Sequence, residues 1–243
     1  MTRPTLLLVP GLLCDAAVWA EQRAALAASA DIVVADHGSL DALPAMATRI
    51  LESAPARFAL AGHSMGGRVA FEVLRQAPER VAGLALLDTA CRPLARGADG
   101  EQERHGRLAL LATARRAGMR VMARAWVQGM VHPARLGDAA LVDAILDMFE
   151  RKTPDIFAAQ IHALLSRPDA CGLLADIRCP TLVLCGAQDS WAVPQVHRDM
   201  AAAIRGSTLD IIEDCGHMAP MERPAAVTAA LATWLAGVRA REP

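Results

Sequence analysis

Six short apolar runs punctuate the chain, at Thr5 to Val9, Asp31 to Ala35, Arg57 to Ala61, Val81 to Leu87, Thr181 to Cys185 and Thr208 to Ile212. Most are nearly continuous rather than alternating, which is the pattern of strands covered on both faces in a parallel sheet. Between them apolar positions recur at helical spacing over about Ala16 to Ala28, Leu40 to Ser53, Met65 to Gln76, Val193 to Ile204 and Ala225 to Val238. Strand and helix in alternation predict an α/β fold with a doubly wound parallel sheet of about six strands and right-handed crossovers. The strand signal stops between Cys91 and Asp176, where amphipathic helical runs take over at about Glu103 to Arg116, Met119 to Met130, Ala139 to Lys152 and Asp155 to Leu165. Thr153-Pro154 reads there as an N-cap and first helical residue. The expected organisation is a core in two parts, residues 1–90 and 176–243, with a helical lid at 91–175 inserted after the fourth strand. Such an insert lies over the carboxyl ends of the strands, where open α/β sheets place their ligands.

Composition narrows the classes without naming one. Of 243 residues, 53% are hydrophobic and 21% charged, which excludes a disordered or fibrous chain, and the formal net charge of −1 offers no global field for nucleic acid or an anionic membrane. No stretch approaches the ~20 uninterrupted apolar residues that cross a bilayer. The N-terminal run "TLLLVPGLL" is broken by proline and glycine and lacks the frame of a signal peptide, so a cytoplasmic protein is expected. Lys152 is the only lysine, and tyrosine is absent; both are read as compositional bias. The six cysteines, Cys14, Cys91, Cys171, Cys179, Cys185 and Cys215, show no C-x-x-C pair, and free buried thiols are expected.

Chemistry concentrates at "LAGHSMGGRVAFEVL", Leu60 to Leu74, where Gly62-His63-Ser64-Met65-Gly66 joins a strand to a helix. A turn this sharp strains its central residue, and glycine on either side removes the Cβ atoms that would strike strand and helix. Ser64 then stands at a helix N-terminus, where free N–H groups favour developing negative charge. A serine nucleophile needs a base held by a carboxylate. His217, in "EDCGHMAPMERP" after the last strand, is the base candidate, and Asp189, in "LVLCGAQDSWAVP" after the fifth, is the acid candidate. Asp88, closing the strand before the lid, is the rival acid and ranks second, while His63 reads as structural. The oxyanion donors expected are the backbone N–H groups of Met65 and of Leu12, just past the turn glycine Gly11. His37, His105, His132, His162 and His197 form no metal-ligand spacing, so neither metal nor organic cofactor is expected.

On these residues the sequence resembles the α/β-hydrolase superfamily, and specifically its small, lid-bearing bacterial carboxylesterases. "LVPGLLCDAAVW", "GHSMGG", "GAQDSWAVP" and "DCGHMAPMERP" stand in family order, as Ser64, Asp189 and then His217. The resemblance implies a sheet in the order 2-1-3-4-5-6 and a cofactor-free serine esterase acting through an acyl-enzyme on a small-molecule ester. Two departures matter: Pro10-Gly11 replaces the family's common His-Gly, and the family's two leading strands are missing. Ser64 excludes the dehalogenase and epoxide hydrolase branches, which use aspartate there. Met218 follows His217 where carbon-carbon hydrolases usually carry Trp, which disfavours that branch. Carbon-carbon hydrolase, enol-lactone hydrolase, esterase of carrier-bound methyl esters and a binding protein on the same fold remain the alternatives.

The lid contributes two expectations. Leu108, Leu111, Met119, Met122 and Trp126 roof an acyl pocket, to which Leu13 and Met218 are added from the loops. From Arg104 to Arg124 there are six arginines and no acid, and Arg116, Arg120 and Arg124 at i, i+4, i+8 would form one face. That face would be solvated or would dock an anionic substrate or acyl carrier.

Overall fold

The computed structural model describes residues 3–240. Six strands, β1 (Thr5–Val9), β2 (Asp31–Val34), β3 (Phe58–His63), β4 (Val81–Leu87), β5 (Thr181–Gly186) and β6 (Thr208–Ile212), form one sheet in the order β2-β1-β3-β4-β5-β6. Every pairing is parallel. The apolar runs explain the order of burial: β3, β4 and β5 are buried at every position, whereas β2 and β6, at the two edges, are only partly covered. Removing a side chain as enclosed as Leu86 typically costs about 2–5 kcal/mol, because its neighbours cannot close the void.

Helices α1 (Ala20–Leu26), α2 (Leu43–Ser53), α3 (Met65–Gln76), α8 (Pro194–Ala203), the short α9 (Ala219–Glu222) and α10 (Pro224–Arg239) cover the sheet. Between β4 and β5 the chain is helical: α4 (Ala98–Ala117), α5 (Met119–Trp126), α6 (Ala139–Glu150) and α7 (Pro154–Leu165). Thr153 caps α7 by accepting the Ile156 N–H at 3.2 Å, and Pro154 fills the first turn as its sequence predicts.

Three expectations fail in this segment or at its base. Arg116, Arg120 and Arg124 do not share one helix face, because Gly118 at φ 92° ends α4 and starts α5 in a new direction. Arg120 is also taken up internally, by Asp147, by Glu150 at 2.9 Å and by Asp143 at 3.3 Å, all on α6. Its charge therefore clamps two helices together rather than facing a partner. The cysteines are not all free thiols: Cys91, just beyond β4, and Cys171, shortly before β5, form a disulfide with Cα atoms 4.9 Å apart. The bond joins the two stems of the helical segment across 80 residues of sequence, a proximity that only the return of the chain creates. Cys14, Cys179, Cys185 and Cys215 are free.

Candidate active site

Adjacent strands in register bring their carboxyl ends together, with Val9 level with Gly62, His63 with Leu87, and Leu87 with Leu184. The next residues of several strands therefore meet in one place. Ser64 follows β3 directly and holds φ at 54°, a left-handed backbone rare outside glycine. The glycines around it are required by contact. A Cβ on Gly62 would meet the backbone of Gly66 and Gly67, and one on Gly66 would collide with the Val9 carbonyl. The strained turn is fixed from outside as well: the Ser64 N–H donates to the Leu87 carbonyl at 2.8 Å, and the Thr89 hydroxyl donates to the Ser64 carbonyl at 2.7 Å.

The hydroxyl of Ser64 lies 2.8 Å from His217 Nε2, and His217 Nδ1 lies 2.8 Å from Asp189 Oδ2. Both contacts are satisfied when the serine donates to Nε2 and the Nδ1–H donates to the carboxylate. The other oxygen of Asp189 accepts the N–H groups of Trp191 at 2.8 Å and Ala192 at 2.9 Å. Burial pushes the Asp189 carboxyl up, but the neighbouring His217 and the donated hydrogen bonds outweigh it and hold the group below its usual range. Ser64, Asp189 and His217 are thus brought together as the sequence predicts.

Asp88 is not part of this chain of contacts. Its Oδ1 accepts the Gly186 N–H at 3.0 Å, while Oδ2 is buried with no hydrogen-bond partner among the described residues and 3.6 Å from His63 Nε2. Burial, reinforced by the charge on Asp189, raises this carboxyl well above the usual range. His63 uses Nε2 to donate to the His217 carbonyl at 2.8 Å, and burial followed by the nearby His217 lowers it to about 3, so it stays neutral. That bond holds the loop that carries His217, in keeping with a structural role.

Glu222 is a residue that sequence reasoning passed over. Buried at the end of α9, it accepts the N–H groups of Gly216 at 3.1 Å and Met218 at 3.0 Å, the two neighbours of His217, and that of His132 at 2.7 Å. The His217 N–H in turn donates to the Met130 carbonyl at 2.7 Å. The histidine loop is therefore held by a buried carboxylate from one side and by the segment after α5 from the other. A charged residue between Met221 and Arg223, five positions after His217, was the available signal.

Leu12 and Met65 both line the cavity above Ser64, and among the described residues neither backbone N–H donates to a protein acceptor. The loop bearing Leu12 is braced at Leu13, which takes φ 60° and donates its N–H to Gln160 Oε1 on α7 at 2.8 Å. Leu13 is consequently buried beneath the loop instead of lining the cavity.

The cavity has a volume of about 740 Å³. Of the other anticipated pocket residues, Trp126 and Met218 line it, but Leu108, Leu111, Met119 and Met122 do not. Leu108 points outward, 45% exposed, while Leu111, Met119 and Met122 are buried where helices pack on one another. The reason is helical phase: Asp99, Glu103, Gly106 and Leu110, one turn apart on α4, form the face that looks into the cavity. The apolar wall comes instead from Trp126, Phe149 and Trp191. Trp126 and Trp191 stack with centroids 5.4 Å apart, and Trp191 lies 4.9 Å from the His217 ring.

The sequence matches those of known proteins along most of its length. A protein of Klebsiella pneumoniae (strain 342) named RutD, with a proposed carbamate hydrolase activity, is 30% identical over 231 residues, covering 84% of this chain and 80% of its own. The 2-hydroxy-6-oxononadienedioate/2-hydroxy-6-oxononatrienedioate hydrolase of Escherichia coli (strain K12) is 26% identical over 203 residues, covering 74% and 63%. A thermophilic esterase from Thermogutta terrifontis, solved with malate bound, superposes with a TM-score of 0.87 at 30% identity, over 98% of this chain and 91% of that one. With the pattern of the alpha/beta hydrolase family matching residues 6–231, and the six-stranded parallel sheet and strand-end cavity that accompany it, this chain belongs to the alpha/beta hydrolase family.

Proposed function

We propose that the protein is a serine carboxylesterase in which Ser64 is the nucleophile, His217 the general base and acid, and Asp189 the group that orients the imidazole and stabilises its charged form. The observation that carries this reading is the relay of two 2.8 Å contacts, Ser64 to His217 to Asp189, opening onto a cavity beside two unengaged N–H groups. Ser64 Oγ attacks the ester carbonyl while His217 Nε2 takes its proton; the tetrahedral oxyanion rests on the N–H groups of Leu12 and Met65. Collapse expels the alcohol, which receives that proton, and leaves the acyl group on Ser64. Water, deprotonated by His217, then releases the acid and restores the serine. Helices α4 to α7 serve as the lid over this chemistry, and Trp126, Phe149 and Trp191 bound the acyl site.

The esterase from Thermogutta terrifontis, at 30% identity, supports an ester substrate. RutD, equally similar, favours a carbamate as the second reading, since the same attack on a carbonyl would cleave it. Hydrolysis of p-nitrophenyl esters from acetate to laurate, beside ammonia release from ethyl carbamate, separates the two. Ester turnover that Ser64→Ala abolishes, with the protein still folded, is the expected result. Turnover of the carbamate alone would replace the ester reading, and esterase activity retained in Ser64→Ala would contradict the mechanism.

A further inference from the structure

One end of the cavity differs from the aromatic wall. Arg68, Arg107 and Arg167 converge there with Glu103, while Asp99 and Gln102 stand at the exposed rim. Arg167, buried after α7, grips Glu103 with two guanidinium nitrogens at 2.7 Å each, and Arg107 reaches the same carboxylate at 2.9 Å. Glu103 is therefore fully engaged by two arginines. Arg68 has no carboxylate within salt-bridge distance among the described residues; its one hydrogen bond to protein is to the Arg92 carbonyl at 2.8 Å. Arg167 directs its Nε to that same carbonyl, so two like charges are drawn together at one acceptor.

This position is costly without a further partner. Arg68 lies in the first turns of α3, four residues from Ser64, where a helix favours anions and disfavours cations. The first turn of α3 contains no acidic residue to offset it. Burial, and after it the charge of Arg167, lowers the Arg68 guanidinium to about 9, which reports the same unfavourable surroundings. Arg68 and Ser64 line the same cavity, so Arg68 flanks it within about one turn of the nucleophile along the chain. Three guanidinium charges against Glu103 and Asp99 leave one positive charge uncompensated, which suits a monoanion, and a guanidinium's planar fork matches a carboxylate.

We propose that this arginine end is a carboxylate-binding subsite, so that the preferred substrate is an ester whose acyl portion bears a free carboxylate held by Arg68, with Arg107 and Arg167 behind it. The inference rests on the esterase reading and adds the substrate class to it. A matched pair tests it: mono-p-nitrophenyl glutarate and p-nitrophenyl pentanoate have acyl chains of equal length and differ in the terminal carboxylate. The wild type should favour the glutarate ester. Arg68→Gln should lower kcat/KM for it by about tenfold or more relative to the pentanoate ester, mainly through KM, and Arg68→Lys should recover part of the loss. Circular dichroism checks that each variant is folded. A wild-type preference for the neutral ester, or an equal change on both esters in folded Arg68→Gln, would overturn the subsite. If the wild type cleaves neither ester, the esterase reading fails, and calorimetric titration with glutarate decides the subsite separately. Saturable binding lost in Arg68→Gln supports it; absence of binding to the wild type overturns it.

Discussion

The ends of β4 and β5 lie side by side and each carries a buried aspartate, yet the two regions treat the group in opposite ways. Past β5, the chain folds back so that the Trp191 and Ala192 N–H groups and His217 all point at Asp189, which is held below its usual range. Past β4, a left-handed turn at φ 48° buries Asp88 with the Gly186 N–H on one oxygen and the Asp189 charge nearby, and its carboxyl is raised. At Asp189 the neighbouring His217 and the hydrogen bonds donated to the carboxylate outweigh burial, whereas at Asp88 burial and the adjacent Asp189 charge prevail.

The sharpest break would come from substitutions at these two positions. Asp189→Asn should lower kcat by about 10⁴-fold without unfolding the protein, as expected when the orienting carboxylate of a serine relay is lost. Asp88→Asn should cost far less activity. Its stability signature has a definite sign: a carboxyl raised on folding binds more protons in the native state, so it lowers stability as pH rises above the unfolded value. The melting temperature of Asp88→Asn should therefore gain on the wild type as pH increases from about 4 upward. Equal loss of kcat in both variants would erase the distinction between the two strand ends.

Glu222 extends the comparison to a carboxylate whose donors fix a neighbour rather than take part in the relay. Glu222→Gln keeps the shape but turns one oxygen into a donor facing the N–H groups it now accepts. Destabilisation of about 1–3 kcal/mol is expected, with kcat falling more than KM rises because the His217 loop loses its support. Denaturant melts and steady-state kinetics on one ester check both.

The smallest effect belongs to Glu103, held by guanidinium groups. Burial pushes it up, but the hydrogen bonds from Arg167 and the charges of both arginines prevail and bring it to about 2, from an ordinary 4.5. A carboxyl depressed on folding adds stability that is present above the unfolded value and lost as pH falls through the folded one. Glu103→Gln should melt below the wild type at pH 7, and the gap should close as pH falls from 4.5 towards 2. A pH-independent gap would mean that Glu103 acts through packing alone.

The sheet and the relay were legible in the sequence because their signals are local. A strand buried on both faces must be apolar throughout, and a serine in a left-handed turn must have glycines beside it, so β3 and Ser64 announce themselves together. The helical segment between β4 and β5 was read correctly as helical but not as to which faces meet. Leu108 and Leu110 lie two residues apart on α4; one is outside and the other lines the cavity, and only the docking of the helix decides between them. Arg120 looked available for a partner because its acids lie 23 to 30 residues onward, on α6. The Cys91–Cys171 bond and the grip of Glu222 on the histidine loop are of the same kind, contacts between segments that the chain brings together only by folding.

In the proposed mechanism the acyl group passes through Ser64. The most direct measurement is peptide mass spectrometry on protein quenched during turnover of a p-nitrophenyl ester, mapping any acyl adduct. An added acyl mass on the peptide containing Ser64, with its amplitude enhanced when deacylation is slowed, is the expected result. Robust ester turnover with the adduct on another residue, or turnover with no adduct in the wild type and undiminished rate in Ser64→Ala, would contradict it.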